Sequence, residues 1–327
     1  MSRLRWGILA TGGIAHSFTR ELQGAGHVVT AVGSRRAESA EAFAREFGLA
    51  RAHGSYEALV ADPEVDIVYV ATPHPAHAEN ALLALDSGKH VLVEKPFTLT
   101  GDEAALVRER AEERGLVALE AMWTRFLPHM ARIREIVAAG TLGEIRTVTA
   151  EHTQKLPTDP SHRLNDLALG GGALLDLGIY PISFVHDILG APVTIAASAR
   201  FADTGADTEV ATIFTHASGA LSTTLSSSRG AGPNRASIVG TEARIDIDRV
   251  WYTPTSFQVV ATDGTVLERY ENSVAGGGKQ FQAQHAEELV ASGRLSGDVL
   301  PLAESVEIMR TLDRVRAEIG LRYPGEH

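Results

Sequence analysis

The stretch Trp6–Ala15, which reads WGILATGGIA, decides the fold class of the first part of the chain. Its apolar start is typical of a buried strand, and a turn of small residues separates that strand from a helical pattern. Against the G-x-G-x-x-G/A pattern of dinucleotide-binding turns, Ala10 replaces the first glycine, whereas Gly12 and Ala15 are kept. Gly12 lets the backbone approach a pyrophosphate, and a helix that starts at Gly13 points free N–H groups at it. We therefore predict a cofactor-binding segment formed by Thr11, Gly12, Gly13, Ile14 and Ala15; the alternative is a purely structural glycine turn.

Strand-like and helical patterns alternate from Leu4 to about Glu120. This alternation indicates βαβ units and a parallel sheet, and such sheets bind ligands at the carboxyl ends of their strands. The predicted strands are Leu4–Leu9, Val28–Val32, Ile67–Ala71, His90–Glu94 and Leu116–Glu120, with a weak one near Arg51. The predicted helices are Ile14–Gly24, Ala37–Phe47, Tyr56–Ala61, His77–Asp86 and Asp102–Arg114.

The residues after the second strand indicate which dinucleotide the turn would hold. NAD enzymes place a carboxylate about 20 residues past the glycines, where it binds the ribose 2′-hydroxyl. This chain has Ser34, Arg35 and Arg36 there instead, and two guanidiniums with a hydroxyl suit a 2′-phosphate. The sequence therefore favours NADP over NAD. The alternative is that both arginines form a solvated helix start, where positive charge opposes the helix dipole.

The turn after the fourth strand reads ATPHPAH over residues 71–77. Its proline stops the strand and leaves polar groups at the edge where a cofactor would lie. Thr72, His74 and His77 are therefore candidate cofactor contacts, and a helix cap is the alternative for the histidines. Two histidines without a third ligand at suitable spacing do not predict a metal site.

The turn after the fifth strand reads Glu94-Lys95-Pro96. A lysine at the end of a buried parallel strand is costly unless it meets a charge or takes part in chemistry. Lys95 is therefore the most informative residue of this edge, and both it and Glu94 are candidate contacts of the cofactor.

The composition limits the classes of function. The 327 residues contain no cysteine, which excludes disulfides, thiolate catalysis and cysteine-based metal sites. The 30 basic and 41 acidic side chains give a net charge of −11, and the basic residues are scattered, so no nucleic-acid partner is expected. No apolar run approaches the ~18 residues of a membrane span, so no membrane partner is expected either. We expect an acidic protein with a cytoplasmic location.

The pattern changes past Glu120, which predicts a dinucleotide-binding domain over residues 1–121 and an α+β domain over residues 122–327. Consecutive β runs joined by short turns indicate an antiparallel sheet in the second domain. The predicted strands are Glu144–Thr153, Val193–Phe201, Glu209–His216, Ala220–Ser227, Ala236–Gly240, Ala243–Asp248, Phe257–Ala261 and Val266–Tyr270. The predicted helices are Leu127–Ala139, Ala173–Leu189, Lys279–Ala291 and Pro301–Ile319.

The apolar helix over Ala173–Leu189 carries Asp176 and Tyr180, which lie four residues apart and so on one face. A carboxylate and a phenol on an otherwise apolar face are a candidate site. The alternative is that Asp176 caps a loop and Tyr180 fills the core with a satisfied hydroxyl.

These motifs together resemble those of the Gfo/Idh/MocA family of NAD(P)-dependent oxidoreductases, in particular its branch of glucose–fructose oxidoreductase, xylose dehydrogenase and dimeric dihydrodiol dehydrogenase. The resemblance covers nearly the whole chain. It rests on five segments in this order: WGILATGGIA at 6–15, ATP at 71–73, EKP at 94–96, EAMWTRF at 120–126 and GGALLDLGIYP at 171–181.

The resemblance implies an N-terminal Rossmann domain and a C-terminal domain with a large open antiparallel sheet. The exposed face of such a sheet usually forms the subunit interface, so a homodimer or homotetramer is implied. The resemblance assigns catalysis to Lys95, with Asp176 nearby. Many members have histidine four residues after the aspartate, whereas this branch and this chain have tyrosine, which makes Tyr180 the acid/base. The implied activity is an NADP-dependent dehydrogenase (EC 1.1.1.-) that acts on the hydroxyl of a sugar or cyclic diol.

Five residues outside this set are candidate substrate contacts. Trp123, Arg125 and Phe126 follow the last strand of the first domain, and aromatic faces suit sugar rings, although core packing explains Trp123 and Phe126 equally well. His162 and Arg163 lie in the loop before the helix that carries the candidate site.

A second class of function remains open, because a fold does not fix an activity. The alternative is a non-catalytic regulator that keeps the fold and senses NADP or a sugar. Such a regulator is free to lose Lys95, Asp176 or Tyr180, and this chain keeps all three.

Overall fold

The computed structural model describes residues 4–326. By its internal contacts the chain forms two compact units, one made of Met1–Trp123 with Gly278–Val306 and the other of Thr124–Gly277 with Glu307–His327. The predicted boundary after residue 121 lies two residues from the first of these breaks. The segment 278–306 groups with the first unit. The prediction assigned this segment to the second domain.

The first unit contains a six-stranded parallel sheet with helices between its strands. Its strands are β1 (Arg5–Leu9), β2 (Val28–Gly33), β3 (Arg51–His53), β4 (Ile67–Val70), β5 (His90–Glu94) and β6 (Ala118–Ala121), and its helices are α1 (Gly13–Gly24), α2 (Ala37–Phe47), α3 (Tyr56–Val60), α4 (His77–Asp86) and α5 (Gly101–Arg114). The strand order is β3-β2-β1-β4-β5-β6. This is the order of dinucleotide-binding sheets, whose ligands lie where the order reverses, beside β1 and β4. The predicted α/β Rossmann class is confirmed.

The core of this unit is built on β1 and α1. The last four residues of β1 are buried because helices cover both faces of a central parallel strand. Helix α1 buries four residues at intervals that place them on one stripe toward the sheet. In that stripe Phe18 stacks on Tyr69 of β4, with ring centres 3.8 Å apart. Burial of a side chain of this size contributes roughly 1.5–3 kcal/mol.

The second unit contains an eight-stranded, mostly antiparallel sheet. Its strands are β7 (Ile145–Thr153), β8 (Pro192–Phe201), β9 (Asp207–His216), β10 (Leu221–Ser227), β11 (Ala236–Gly240), β12 (Ala243–Ile247), β13 (Phe257–Ala261) and β14 (Val266–Tyr270), and its first helices are α6 (Pro128–Ala138) and α7 (Ile179–Leu189). The strand order is β14-β13-β12-β11-β7-β10-β9-β8, and every neighbouring pair is antiparallel except β7 with β10. The predicted open antiparallel sheet is confirmed, with this one parallel pair as an exception.

Helix α7 covers one face of the sheet, over β7 and β10. Side chains of β10 therefore alternate: Ser222 and Thr224 are buried, whereas Leu221, Thr223 and Leu225 on the opposite face are exposed. We call that opposite side the open face.

The apolar helix predicted over Ala173–Leu189 is present, but it starts with a π-helical turn, Leu174–Gly178, before α7 continues it. The helical stretch 167–189 is long and apolar enough to span a membrane by length and composition alone, which differs from the expectation that no run approaches that length. Of its most apolar window, 89% is buried inside the structure, as in the core helix of a globular unit.

Two helices close the chain, α8 (Gln280–Ser292) and α9 (Leu302–Ile319). Contacts of the segment 278–306 explain why it groups with the first unit. Glu287 accepts a hydrogen bond from the Trp6 indole N–H at 2.8 Å, and Ser305 donates to the Glu120 carboxylate at 2.8 Å.

Candidate functional site

The turn after β1 has the geometry of an anion-binding segment. Gly12 precedes α1 in extended backbone, and no side chain caps the helix start. A Cβ atom added at Gly12 or Gly13 would meet nothing within 4 Å, so this N-terminus faces open space. Free N–H groups at the positive end of a helix dipole attract phosphates. Ala10, in place of the first glycine, adopts φ +87°, the left-handed region for which that glycine is suited.

The residues after β2 present positive charge to solvent. The Ser34 side chain is 8% exposed, and both Arg35 and Arg36 are exposed. Ser34 Oγ accepts from the Arg36 backbone N–H at 3.4 Å, and Arg36 Nε donates to Ser39 Oγ at 3.2 Å. Burial raises the pKa of Tyr56, and the nearby Arg35 charge opposes part of that rise. Two exposed guanidiniums beside a hydroxyl therefore lie at the carboxyl end of β2.

Thr72, at the end of β4, supplies a further sign of a ligand. Its side chain is 7% exposed, and its Oγ1 atom has no hydrogen-bond partner in the structure. A buried hydroxyl without a partner costs free energy unless a bound molecule supplies one. His74, in the same turn, is 7% exposed and packs edge-on against the His77 ring at 5.6 Å between ring centres.

The structure gives His77 a different role from the predicted cofactor contact. The ring is fully buried, with Nδ1 at 2.8 Å from the Pro96 carbonyl oxygen and Nε2 at 2.8 Å from that of Thr72. Burial lowers the pKa of His77, which favours the neutral ring, and a neutral ring donates one hydrogen bond only. His77 therefore lies between the turn after β4 and the turn after β5, with a backbone carbonyl oxygen beside each ring nitrogen.

The turn after β5 places Lys95 directly after a buried acid. Glu94 is 6% exposed and accepts a short hydrogen bond from the Tyr69 hydroxyl. Burial raises the pKa of Glu94, whereas the Tyr69 hydrogen bond and the charges of Lys95 and Lys279 oppose that rise. The Lys95 side chain is only partly buried. The lysine thus stands at the ligand edge of the sheet, next to a carboxyl group that already has a partner.

Trp123 lies at the end of the first unit's first segment, beside Lys279. Lys279 Nζ is 5.0 Å from the centre of the Trp123 ring and 2.7 Å from Glu21 Oε1. The indole therefore takes part in a cation–π contact. The predicted alternatives for Trp123, substrate contact or core packing, are both compatible with this position.

In the second unit, Asp176 and Tyr180 lie where the π-helical turn joins α7. Their side chains are 7% and 8% exposed. The two guanidinium NH₂ groups of Arg163 each lie 3.3 Å from Asp176 Oδ1. The predicted substrate contact Arg163 therefore lies beside Asp176, one of the predicted catalytic residues. The neighbouring His162 caps a short helical turn, because its Nδ1 accepts from the Leu164 N–H at 3.3 Å.

The predicted site did not include the two rings beside Tyr180, those of His152 and Tyr252, or Gln154, which contacts both of them. The His152 ring meets Tyr180 edge-on at 4.7 Å and stacks on Tyr252 at 3.8 Å, and the two tyrosine ring centres are 5.5 Å apart. Gln154 lies 2.7 Å from His152 Nε2 and 3.5 Å from the Tyr252 hydroxyl. A signal for His152 was present, since it follows Val148 and Ala150 on the buried face of β7. Burial raises the pKa of Tyr252 to about 12, and Tyr180 adds to that rise.

Arg125 and Phe126, two of the predicted substrate contacts, are both buried. The Arg125 side chain is 2% exposed and donates to Asp187 at 3.0 Å and to the Ser183 carbonyl oxygen at 3.1 Å. Its guanidinium is therefore held inside the second unit by α7, because a buried cation requires an anionic partner. Phe126 is 9% exposed, as in the core-packing alternative.

The residues of the first unit fit a phosphate-bearing dinucleotide. The uncapped start of α1, the unpartnered Thr72 hydroxyl and the exposed arginines all lie at the carboxyl edge of one sheet. A phosphorylated nucleotide supplies anions for the helix start and the arginines, and polar atoms for the hydroxyl. Among residues 4–326, no group of three or more His, Asp or Glu side chains is arranged to hold a metal ion.

Comparison with known proteins gives two family matches. Residues 4–121 match the family described as "Oxidoreductase family, NAD-binding Rossmann fold", and residues 130–246 match the "GFO/IDH/MocA C-terminal domain". Together the two matches span more than half of the chain.

Individual proteins agree with these matches. A trans-1,2-dihydrobenzene-1,2-diol dehydrogenase from Mus musculus is 37% identical, and the alignment covers 98% of each chain. A D-xylose 1-dehydrogenase (NADP(+)) from Hypocrea jecorina is 35% identical over 98% of this chain and 93% of its own. Among solved structures, KijD10, a 3-ketoreductase from Actinomadura kijaniata in complex with NADP and TDP-benzene, superimposes with a TM-score of 0.86, at 28% identity over 97% and 98% of the two chains.

Proposed function

Because the chain belongs to the Gfo/Idh/MocA family of oxidoreductases and is a dehydrogenase of CH–OH groups, we propose that it transfers hydride between a sugar or cyclic diol and NADP. In this proposal Tyr180 is the acid/base, assisted by Lys95 and Asp176. The observation that carries it is the buried pair of Asp176 and Tyr180 at the start of α7, an arrangement that a packing role alone does not require.

Oxidation of an alcohol requires that the hydroxyl lose its proton while hydride leaves the carbon. NADP, when bound, accepts that hydride. The proposal assigns the proton to the Tyr180 phenolate. A phenol has an ordinary pKa of ~10, and a nearby ammonium lowers that pKa by favouring the phenolate. The proposal assigns the ammonium to Lys95. Burial raises the pKa of Tyr252 to about 12, so Tyr252 stays protonated near neutral pH and is not chosen as the acid/base.

Asp176 is given an orienting role. Its carboxylate already pairs with the exposed Arg163 side chain, so a substrate hydroxyl donating to Asp176 would lie next to a guanidinium donor as well. Such a combination of acceptor and donor suits a polyhydroxylated ring. His162, in the same loop, is proposed as a further substrate contact.

The preference for NADP over NAD rests on the turn after β2. Ser34, Arg35 and Arg36 replace the carboxylate that would bind a 2′-hydroxyl, and both guanidiniums are exposed. The D-xylose dehydrogenase relative carries NADP in its name, and the solved 3-ketoreductase holds NADP.

A substrate scan tests the proposal directly. Purified protein is mixed with NADP⁺ or NAD⁺ and with D-xylose, D-glucose or trans-1,2-dihydrobenzene-1,2-diol at mildly alkaline pH, and the absorbance of reduced cofactor is followed. We expect turnover with NADP⁺. Lys95→Met and Tyr180→Phe are expected to abolish turnover while NADP binding survives, and Tyr270→Phe serves as a matched control. Retention of more than a tenth of kcat in both variants would contradict the roles assigned.

The alternative is a non-catalytic sensor of NADP or of a sugar. It predicts saturable binding of NADP with no turnover on any member of a broad panel of sugars and diols. The presence of Lys95, Asp176 and Tyr180 together favours the enzyme, since a sensor has no need of the acid/base group.

We also propose that the chain forms a homodimer or homotetramer through the open face. On this face Ile213, Leu221 and Leu225 are 57%, 46% and 40% exposed. Ile213 of β9 lies opposite Thr223 of β10, and Thr223 lies opposite Thr149 of β7, so this row of the face is uncharged over three strands, with Glu151 of β7 in the row of Leu225. A second copy of the chain is the proposed occupant, because the apolar core of a homodimer interface matches such a surface.

A further inference from the structure

We propose that Asp207 and Tyr323 are positioning residues, which hold the turn that carries Asp176 and Tyr180. The inference rests on the proposed function for what that turn does, but the contacts themselves lie entirely within the second unit. Neither residue belongs to the sequence motifs, and they reach the turn from β9 and from the end of the chain.

Asp207 binds the start of the helical turn. Its carboxylate is 1% exposed, and Oδ2 accepts a hydrogen bond from the Leu174 backbone N–H at 2.6 Å. The Ala173 backbone N–H also favours the charged carboxylate, because it opposes the rise in the pKa of Asp207 that burial causes. The first N–H groups of a helix have no partner within the helix. Asp207 therefore caps the π-helical turn from another strand and fixes where that turn begins.

The glycines before the turn fit closely around this contact. Gly172 adopts φ +135°, and a Cβ atom built on it would lie 2.0 Å from Asp207 Oδ1. The Gly172 carbonyl accepts a hydrogen bond from the Asp176 N–H at 3.4 Å. A shift of Asp207 would thus be passed through Gly172 to the backbone of Asp176.

Tyr323 contacts the same glycine segment through Gly171. Its ring is 2% exposed, and its hydroxyl donates to the Gly171 carbonyl oxygen at 3.0 Å. Tyr323 is itself fixed, because its backbone N–H donates to Glu326 at 2.8 Å and Arg316 lies over its ring at 5.1 Å. Arg316 also pairs with Glu326 at 2.7 Å. Contacts among residues 316–326 thus hold Tyr323 beside the Gly171 carbonyl oxygen.

The chemistry of these groups argues against a purely packing role. A buried carboxylate is costly, and an apolar side chain would fill the same space with less loss. The free energy spent on burying this carboxylate is explained if the helix start must be fixed, because reacting groups have to be held in a defined geometry. π-Helical turns are also frequent at functional sites.

The experiment uses the full-length protein and four variants: Asp207→Ala, Asp207→Asn, Tyr323→Phe and the control Tyr270→Phe, a tyrosine of the edge strand β14. Amide hydrogen exchange by mass spectrometry is measured on peptides spanning residues 170–180. Steady-state kinetics with NADP⁺ and the best substrate of the scan give kcat and the KM for NADP⁺. A deuterated substrate gives the isotope effect on kcat.

We expect Asp207→Ala to speed exchange at residues 172–178 and to lower kcat by about tenfold or more, with the KM for NADP⁺ nearly unchanged and a larger isotope effect. Asp207→Asn keeps a side-chain oxygen acceptor and is expected to restore most of kcat. Tyr323→Phe should lower kcat by a smaller factor, and Tyr270→Phe should change neither quantity.

The two readouts separate this inference from the proposed function. If wild-type protein turns over no substrate, the proposed function fails, whereas faster exchange in Asp207→Ala still supports the positioning contact. If exchange rises but kcat and its isotope effect stay at wild-type values, Asp207 does not position the reacting groups and the inference is overturned. Unchanged exchange in both Asp207→Ala and Tyr323→Phe overturns it as well.

Discussion

The guanidinium of Arg125 donates a hydrogen bond to the Asp187 carboxylate at 3.0 Å, with both side chains almost fully buried, at 2% and 4% exposure. Arg134 reaches the second oxygen of Asp187 at 2.9 Å and also donates to the Arg125 carbonyl. One carboxylate on α7 is therefore shared by two cations. This network fastens the first residues of the second unit to the helix that carries Tyr180.

Removal of one partner of the buried Arg125–Asp187 pair is expected to lower the free energy of unfolding far more than removal of one partner of an exposed ion pair. Arg125→Met leaves a buried carboxylate with one partner fewer, and we expect a loss of roughly 3–5 kcal/mol in the free energy of unfolding. Arg163→Ala is the matched control, because Arg163 is 52% exposed and such pairs contribute about 0–1 kcal/mol. Urea denaturation measures both. Equal losses in the two variants would contradict a structural role for Arg125.

The arginines after β2 are expected to determine cofactor preference. Arg35→Ala and Arg36→Ala each remove one charge-assisted hydrogen bond to a 2′-phosphate, worth about 1.5–3 kcal/mol, so the KM for NADP⁺ should rise about tenfold or more. The KM for NAD⁺, which has no 2′-phosphate, should change little. Arg20→Ala is a suitable control, since Arg20 is 67% exposed on the same unit. An unchanged NADP⁺ KM in both variants would remove the basis for NADP preference.

The buried Asp207 carboxyl predicts a specific dependence of stability on pH. Burial raises its pKa from 3.8 to about 6 in the folded protein. A group with a raised folded pKa favours the folded state below the unfolded value and loses that contribution as pH rises through the folded value. Between about pH 4 and pH 6, the free energy of unfolding of the wild type should therefore fall by up to roughly 3 kcal/mol relative to that of Asp207→Asn. Above pH 6 this difference should stay constant.

Urea unfolding of both proteins from pH 4 to 7.5 measures this difference. Tyr323 and Glu209 face Asp207 and are present in both proteins, so their own titration cancels in the comparison. A difference that stays constant over the range would contradict the raised pKa.

Charge placed on the open face is expected to prevent self-association. Ile213→Arg puts a cation at the centre of the proposed interface, where a stable homodimer would bury an uncharged surface. Sedimentation should then show a particle near the chain mass of 34.9 kDa, whereas the wild type should show about twice that mass. Leu267→Arg is the control, because Leu267 is 54% exposed on the edge strand β14. A monomeric wild type would contradict the interface.

The regular elements were predictable because their signals are local. Apolar spacing fixes α1 and α2 to within a residue, and turn residues mark the ends of β2 and β5. The parallel pairing of β7 with β10 was not predictable, because these strands lie far apart in the sequence and no turn connects them directly.

The candidate site was predictable only where a residue type already implies chemistry. Lys95 and Asp176 stand out as charges in apolar surroundings. Asp207 and Tyr323 do not stand out, because an aspartate at the start of a strand and a tyrosine near the end of the chain carry no chemical signal by themselves. Their contacts with the turn form only when segments distant in the sequence fold together. Conversely, Arg125 looked like a pocket residue because sequence cannot reveal that Asp187 lies within bonding distance.

The return of the chain into the first unit limits how this nucleotide-binding part can be transplanted. Residues 1–121 alone would lack the Glu287 carboxylate that receives the Trp6 N–H and the Ser305 hydroxyl that binds Glu120. An excised fragment or a chimera cut once after β6 would bury polar groups with fewer partners. Exchange of cofactor specificity between relatives by recombination therefore requires three crossovers, near residues 123, 278 and 306, so that both pieces of the first unit are exchanged together.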